Sequence, residues 1–271
     1  MIRHNVLMSE LTTFKVGGPA DTVFQPKDVD SLVDILSICH THSIPMTIIG
    51  NGSNLIVRDG GIRGIVIRIC DVLNCIVRIN SSNNLMVGAG TSVEELIQYC
   101  IKNNLKGPEC LCGIPGTIGG CIYMNAGYTG EIAPLVEKVV AVHKSGSYIK
   151  EFKQEEMAFG YRTSVFHNKE YIILHAFLCL TPGDCRETVE KYKAHRKKTQ
   201  PIDYPSCGSV FKRANLQSVK GMAVGDAEVS TLCPSFIINK GRATAGDILH
   251  LIQNIQDKLG PLELEAEIIG E

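Results

Sequence analysis

The sequence predicts helices and strands mixed in two packed units, on three observations. At 271 residues the chain is long enough for a large core and for more than one packed unit. Apolar residues recur at helical spacing in some stretches and as short buried runs or strict alternation in others. The character of the chain also changes after Gln200-Pro201, which sets a boundary near residue 195. Hydrophobic residues are 44% and charged residues 20% of the chain, the balance of a globular protein. A formal net charge of −1 provides no global field toward nucleic acid or a membrane surface. No signal-peptide pattern follows Met1-Ile2-Arg3-His4, and no apolar run is long enough to span a bilayer. The expected location is the cytoplasm.

Each element has its own signal. Residues 12–21, with Gly17-Gly18-Pro19, read as a strand entering a turn. Asp28 precedes Leu32, Ile35, Leu36 and Cys39 at helical spacing, and that helix stops before Pro45. Residues 46–49 are a buried strand ending in the loop Gly50-Asn51-Gly52-Ser53-Asn54. Strands at 55–57 and 65–69 flank a turn at Asp59-Gly60-Gly61. Residues 85–90 form a strand leading to Thr91 and Glu94, a capping box for a helix with Val93, Leu96, Ile97, Cys100 and Ile101 on one face. Residues 136–142 and 148–152 make a hairpin, 171–180 a long apolar strand, and 184–198 a basic helix with Val189 and Tyr192 inward. Beyond the boundary, 236–239 is a strand, and Thr244 caps a helix carrying Ile248, Leu251, Ile252, Ile255 and Leu259. Residues 262–269 alternate apolar and acidic, a half-buried strand whose glutamates share the solvent face.

The run Gly113-Ile114-Pro115-Gly116-Thr117-Ile118-Gly119-Gly120 holds four glycines and a proline in eight residues. Such a run does not suit the interior of an ordinary helix or strand. It lets backbone approach a ligand and turn successive N–H groups toward an anion. Apolar neighbours place the loop in the interior, where a bound phosphate would satisfy it; a tight turn between buried segments is the competing reading. The 50–54 loop suggests a second phosphate site, or a hairpin turn. The 50–54 loop is not a G-x-G-x-x-G fingerprint, since Leu55 stands at the third glycine position, and no Walker lysine follows a glycine run.

Arg162, within Phe159-Gly160-Tyr161-Arg162-Thr163-Ser164, suits a carboxylate or enolate; a surface arginine stacked on Tyr161 is the alternative. Ser209 lacks the Gly-x-Ser-x-Gly elbow of a hydrolase. The 11 cysteines form no CxxC pair, so zinc and thiol-redox signatures are missing and no metal is expected. Most read as small buried hydrophobes kept reduced in a cytosol.

Taken together and in order, residues 12–21, 50–55, 113–127, 159–164, 205–212 and 264–265 resemble the UDP-N-acetylenolpyruvoylglucosamine reductases of peptidoglycan synthesis. The resemblance implies an α+β fold, an FAD-binding unit of the vanillyl-alcohol-oxidase type followed by a smaller α+β substrate-binding domain. It implies an FAD-binding region over 1–194, in subdomains of about 1–70 and 71–194, and a substrate domain over 195–271 whose C-terminal strand returns to the active site. Non-covalent FAD would be held by Gly50, Asn51, Gly52, Ser53, Asn54, Gly113, Pro115, Gly116, Thr117, Gly119, Gly120, Asn125, Ala126 and Gly127. NADPH would be the co-substrate, reducing an enolpyruvyl ether to a lactyl ether. By position Ser209 resembles the family's proton donor, Arg162 and Glu265 its enolate-stabilising pair, and Tyr161, Lys212 and Arg213 lie at substrate-contact positions. The chain resembles the family's shorter type, without a tyrosine-loop insertion, acting as a monomer on a small sugar nucleotide.

Arg213 stands where the family usually has asparagine, residues 214–217 are shortened, residues 231–235 differ, and Glu267 replaces a common arginine. All four departures fall in the substrate domain. They open the alternative of a flavin-binding relative whose substrate domain has drifted to a non-catalytic or redox-sensing role. Retention of Arg162, Ser209 and Glu265 together favours the enzyme.

Overall fold

The computed structural model describes residues 1–70, 73–80 and 82–271. In chain order it contains β1 (Ile2–Leu7), α1 (Met8–Leu11), β2 (Pro19–Phe24), α2 (Val29–Thr41), β3 (Met46–Ile49), β4 (Leu55–Val57), β5 (Ile62–Arg68), β6 (Ile76–Arg78) and β7 (Asn84–Gly88). There follow α3 (Val93–Lys102), β8 (Leu105–Lys106), α4 (Ile118–Met124), β9 (Val136–His143), β10 (Ile149–Lys153), β11 (Tyr171–Cys179), β12 (Thr181–Pro182) and α5 (Arg186–Thr199). The chain ends with β13 (Ala223–Val224), β14 (Ala227–Val229), β15 (Ile237–Asn239), α6 (Ala245–Leu259) and β16 (Glu267–Ile269). It divides into two compact units: Met1 with 24–51 and 67–194, and 2–23 with 52–66 and 195–271. The expected subdomain divide near 70–71 borders Asp71, which lies outside the described residues.

The first unit is built on an antiparallel sheet in the order β10-β9-β11-β7-β6. The β9–β10 hairpin pairs Ile149 with Val142 through Lys153 with Lys138. Along β11, Ile172, Leu174, Ala176 and Leu178 are buried, whereas His175 and Phe177 are half-exposed, the period of two that separates a packed from a solvated face. Val93, Leu96, Ile97 and Cys100 form the buried stripe of α3. Asp28 caps α2: its carboxylate accepts the Ser31 N–H at 2.8 Å, satisfying a donor of the first turn.

In the second unit β1, β2 and β5 lie side by side, β13, β14 and β15 form an antiparallel meander, and β16 runs parallel to β4. Its core includes Phe14, Ile56, Val210, Phe211, Ile237, Ile248, Leu251 and Ile255. Thr244 caps α6. The Asp59 carboxylate also accepts the N–H groups of Ala245 and Gly246, at 2.9 and 2.8 Å, so the positive end of that helix already holds an anion.

Four expectations change. Residues 12–18 are loop, and the strand begins only at Pro19. The cap of α3 is Ser92 with Glu95, one residue later than expected. The hydroxyl of Thr91 instead donates to the carbonyl of Cys75 at 3.2 Å. Gly119 and Gly120 lie within α4: a Cβ on Gly119 would come 2.9 Å from the Cβ of Ala89, so close packing, not helix propensity, selects glycine there. The C-terminal alternation is also no single strand. Residues 264–266 pair with 210–211, β16 then pairs with β4, and Glu265 and Glu267 are half-buried while Glu263 is exposed.

Candidate active site

In the first unit the two glycine loops meet. The Asn51 side chain donates to the carbonyl of Pro115 at 2.7 Å, and a Cβ on Gly50 would lie 2.6 Å from Thr117 Oγ1. The loop is not uniformly interior as expected: Gly113, Pro115 and Gly120 are exposed, and residues 116–119 are buried. The N–H groups of Ile118 and Gly119 donate to the carbonyls of Thr91 and Ala89, both at 2.9 Å, and that of Gly120 to Thr117 Oγ1 at 3.3 Å. Those three are spent on the fold. The N–H groups of Gly113, Gly116 and Thr117 carry no hydrogen bond among the described residues, and the last two are buried. A buried N–H needs an acceptor, and a diphosphate fits there.

Asn125 caps α4 in the left-handed region at φ +44°. Its side chain donates to Glu131 and to the Gly160 carbonyl, both at 2.9 Å, and accepts the Ala133 N–H at 3.1 Å. It therefore holds the loop's shape. Arg162, at φ +55°, donates to the carbonyls of Asn125 at 3.4 Å and Gly127 at 2.8 Å, with its guanidinium 4.9 Å from the Tyr161 ring. The stacking on Tyr161 is present, but the arginine is half-buried against the glycine loop. At Gly127 a Cβ would strike the carbonyl of Gly130, and the neighbouring Ala126 N–H bonds the Cys121 carbonyl at 2.8 Å.

The second unit brings Ser209 and Glu265 together. Ser209 bridges Phe236 on one side, Phe211 bridges Leu264 on the other, and the Glu265 N–H donates to the Val210 carbonyl at 2.8 Å. Both residues are half-buried. The Thr13 hydroxyl donates to the Ser206 carbonyl at 2.7 Å and its N–H to the Gly52 carbonyl at 3.3 Å. Thr13 was visible in its motif but had no assigned role; it ties the 52–54 loop to the segment leading into Ser209. A Cβ on Gly52 would strike the Leu11 carbonyl, so Gly52 packs against residues 11–12; Ser53 and Asn54 lie in the same unit. Lys212 pairs with Glu263 at 2.7 Å, and Arg213 is exposed at φ +43°.

The nearby thiols are poor nucleophiles. Burial, reinforced by the charge of Cys110 and opposed by Arg162, pushes Cys121 up to about 12. Burial and Glu109 push Cys110 up to about 11. Burial, with a smaller contribution from Glu265, pushes Cys207 up to about 12. Such thiols hold little thiolate at neutral pH, which disfavours cysteine-based redox chemistry.

Residues 20–150 match the family model of an FAD binding domain. The fold is shared with cholesterol oxidase from Brevibacterium sterolicum, at 16% identity and a TM-score of 0.54 over 67% of this chain and 37% of that one. The loop cradle and the match over residues 20–150 define an FAD-binding protein with an α+β fold. Residues 200–268 match the C-terminal domain of UDP-N-acetylenolpyruvoylglucosamine reductase. The enzyme of that name from Clostridium tetani is 40% identical over 288 residues, covering 100% of this chain and 92% of that protein. The one from Listeria innocua is 38% identical, covering 100% and 95%. The crystal structure of the Thermus caldophilus enzyme matches with a TM-score of 0.86 at 33% identity over 100% of both chains. The chain belongs to the UDP-N-acetylenolpyruvoylglucosamine reductase family.

Proposed function

We propose that this protein reduces UDP-N-acetylglucosamine enolpyruvate to UDP-N-acetylmuramate with NADPH, in the cytoplasm and as a monomer. The observation that carries the reading is the backbone pairing that sets Glu265 beside the Ser209 strand within a chain matched to the family over its whole length. The N–H groups of Gly113, Gly116 and Thr117 would hold FAD, and the bound flavin would supply hydride chemistry, from NADPH to the terminal carbon of the substrate double bond. Ser209 delivers its hydroxyl proton to the carbon beside the carboxylate and recovers one from solvent. Arg162 opposes the charge that develops on the carboxylate oxygens, and Glu265 donates or orients a hydrogen bond to the same group. Such electrostatic contacts are worth roughly 10²–10³ in rate apiece. Tyr161, Lys212 and Arg213 bind the sugar nucleotide in this reading. The free thiols of all 11 cysteines suit a reducing compartment.

An anaerobic titration tests it. NADPH bleaches the flavin absorbance, and the enolpyruvyl sugar nucleotide restores it with one lactyl product per flavin. Bleaching without recovery on that substrate would instead favour a drifted, non-catalytic substrate domain.

A further inference from the structure

Asn54 engages residues 265–267 with both its main chain and its side chain. Its carbonyl accepts the Glu267 N–H at 2.9 Å, at the start of the parallel pairing in which Glu267 faces Leu55. Its side-chain Nδ2 donates to the carbonyl of Glu265 at 3.0 Å. One residue thus grips the peptide units on either side of Ala266, which is buried. This is also where the C-terminal chain changes partner. The N–H groups of Glu265 and Ala266 turn to the Val210 carbonyl, at 2.8 and 3.3 Å, whereas that of Glu267 turns to Asn54. A chain passing from one ladder to another has no regular rung to fix the residue between, and a side-chain amide supplies one.

We propose that Asn54 is a positioning residue for Glu265, serving protonation of the substrate more than the cofactor binding for which its place in the glycine loop nominates it. The inference rests on the role given to Glu265 in the proposed function. An ionised aspartate at position 54 keeps the shape but presents only acceptors to the Glu265 carbonyl. It therefore repels where asparagine holds.

The experiment measures both half-reactions of the FAD-loaded enzyme by anaerobic stopped flow. It compares wild type, Asn54→Asp, Asn54→Ala, Glu265→Gln and the Asn54→Ala/Glu265→Gln pair, with flavin content and melting recorded for each. Misplacing a catalytic group by about 1 Å costs on the order of 10²-fold. Both Asn54 variants are therefore expected to slow flavin re-oxidation by the enolpyruvyl sugar nucleotide at least about tenfold more than they slow bleaching by NADPH. The paired variant is expected to be little slower than Glu265→Gln alone, because the two residues act as a unit. Equal slowing of both half-reactions, loss of flavin from both Asn54 variants, or fully multiplicative losses in the paired variant would overturn the proposal. Slow Glu265→Gln with normal Asn54 variants sinks the positioning role alone. Wild-type re-oxidation by Glu265→Gln sinks the role of Glu265 and the proposal with it. Asn54→Asp, which preserves side-chain volume, carries the comparison if Asn54→Ala does not fold.

Discussion

At Ser209 the chemistry asks for a proton from an alcohol, a weak acid that is useful only where its neighbours favour the alkoxide. Ser209→Ala is expected to lower turnover about 10²-fold or more while NADPH still bleaches the flavin; single-turnover absorbance would show it, and equal loss of both halves would contradict the role. A second residue-scale prediction concerns His175 on the half-exposed face of β11. Burial first, then the nearby Lys138, hold its pKa below the ordinary 6.5, against the smaller opposing pull of Glu151. The folded state therefore prefers the neutral ring, and the unfolded chain binds the proton more readily. The fold keeps the full benefit above pH 6.5 and loses it progressively as pH falls from there through the lowered value. His175→Gln should flatten that part of the stability curve, read as the difference between urea midpoints of the two proteins from pH 7.5 to about 5.

At the scale of elements, the two glycine loops are fitted to each other so closely that a single methyl group should part them. Alanine at position 50 would bring its Cβ within 2.6 Å of the Thr117 hydroxyl, which caps α4 through the Gly120 N–H. Gly50→Ala should cost about 1 kcal/mol of stability through the cap and raise the FAD dissociation constant about tenfold or more by displacing the neighbouring N–H groups. Fluorescence titration of the flavin-free protein checks it. Much of this level was legible in the sequence: Asp28 announced α2 and the neighbouring runs 136–142 and 148–152 announced the β9–β10 hairpin, because those signals are local. The cap of α3 was not, since Thr91 with Glu94 and Ser92 with Glu95 satisfy the same spacing. A tertiary bond from Thr91 to Cys75 decides between them. Gly119 in a helix and the partner exchange at Glu265 were also hidden, because each depends on a segment distant in sequence. The site residues were legible as motifs, but the division of labour among them was not. Nothing in the letters separates the N–H of Gly119, spent on Ala89, from those of Gly116 and Thr117.

At the scale of the whole molecule, each unit encloses thiols that report on its own opening. Cys100 and Cys121 are buried in the first unit and Cys207 in the second, while Cys75 and Cys179 are exposed. Burial pushes Cys100, Cys121 and Cys207 each up to about 12, so a thiol reagent at neutral pH reaches them only when the surrounding structure opens. Cys121 lies in α4, the helix that continues the glycine loop. A ligand that binds the closed unit stabilises it by RT ln(1 + [L]/Kd), about 2.7 kcal/mol at a hundredfold excess over Kd. FAD at that excess should therefore slow labelling of Cys121 by up to about 100-fold, with the exposed Cys179 reacting at the same rate with or without it. Pulse labelling of the flavin-free and FAD-loaded protein, resolved by peptide mass spectrometry, measures both sites in one sample. Protection of Cys121 with an unchanged Cys179 would tie the flavin to the loop before α4; equal labelling of Cys121 in both samples would remove the cradle from the 113–120 segment.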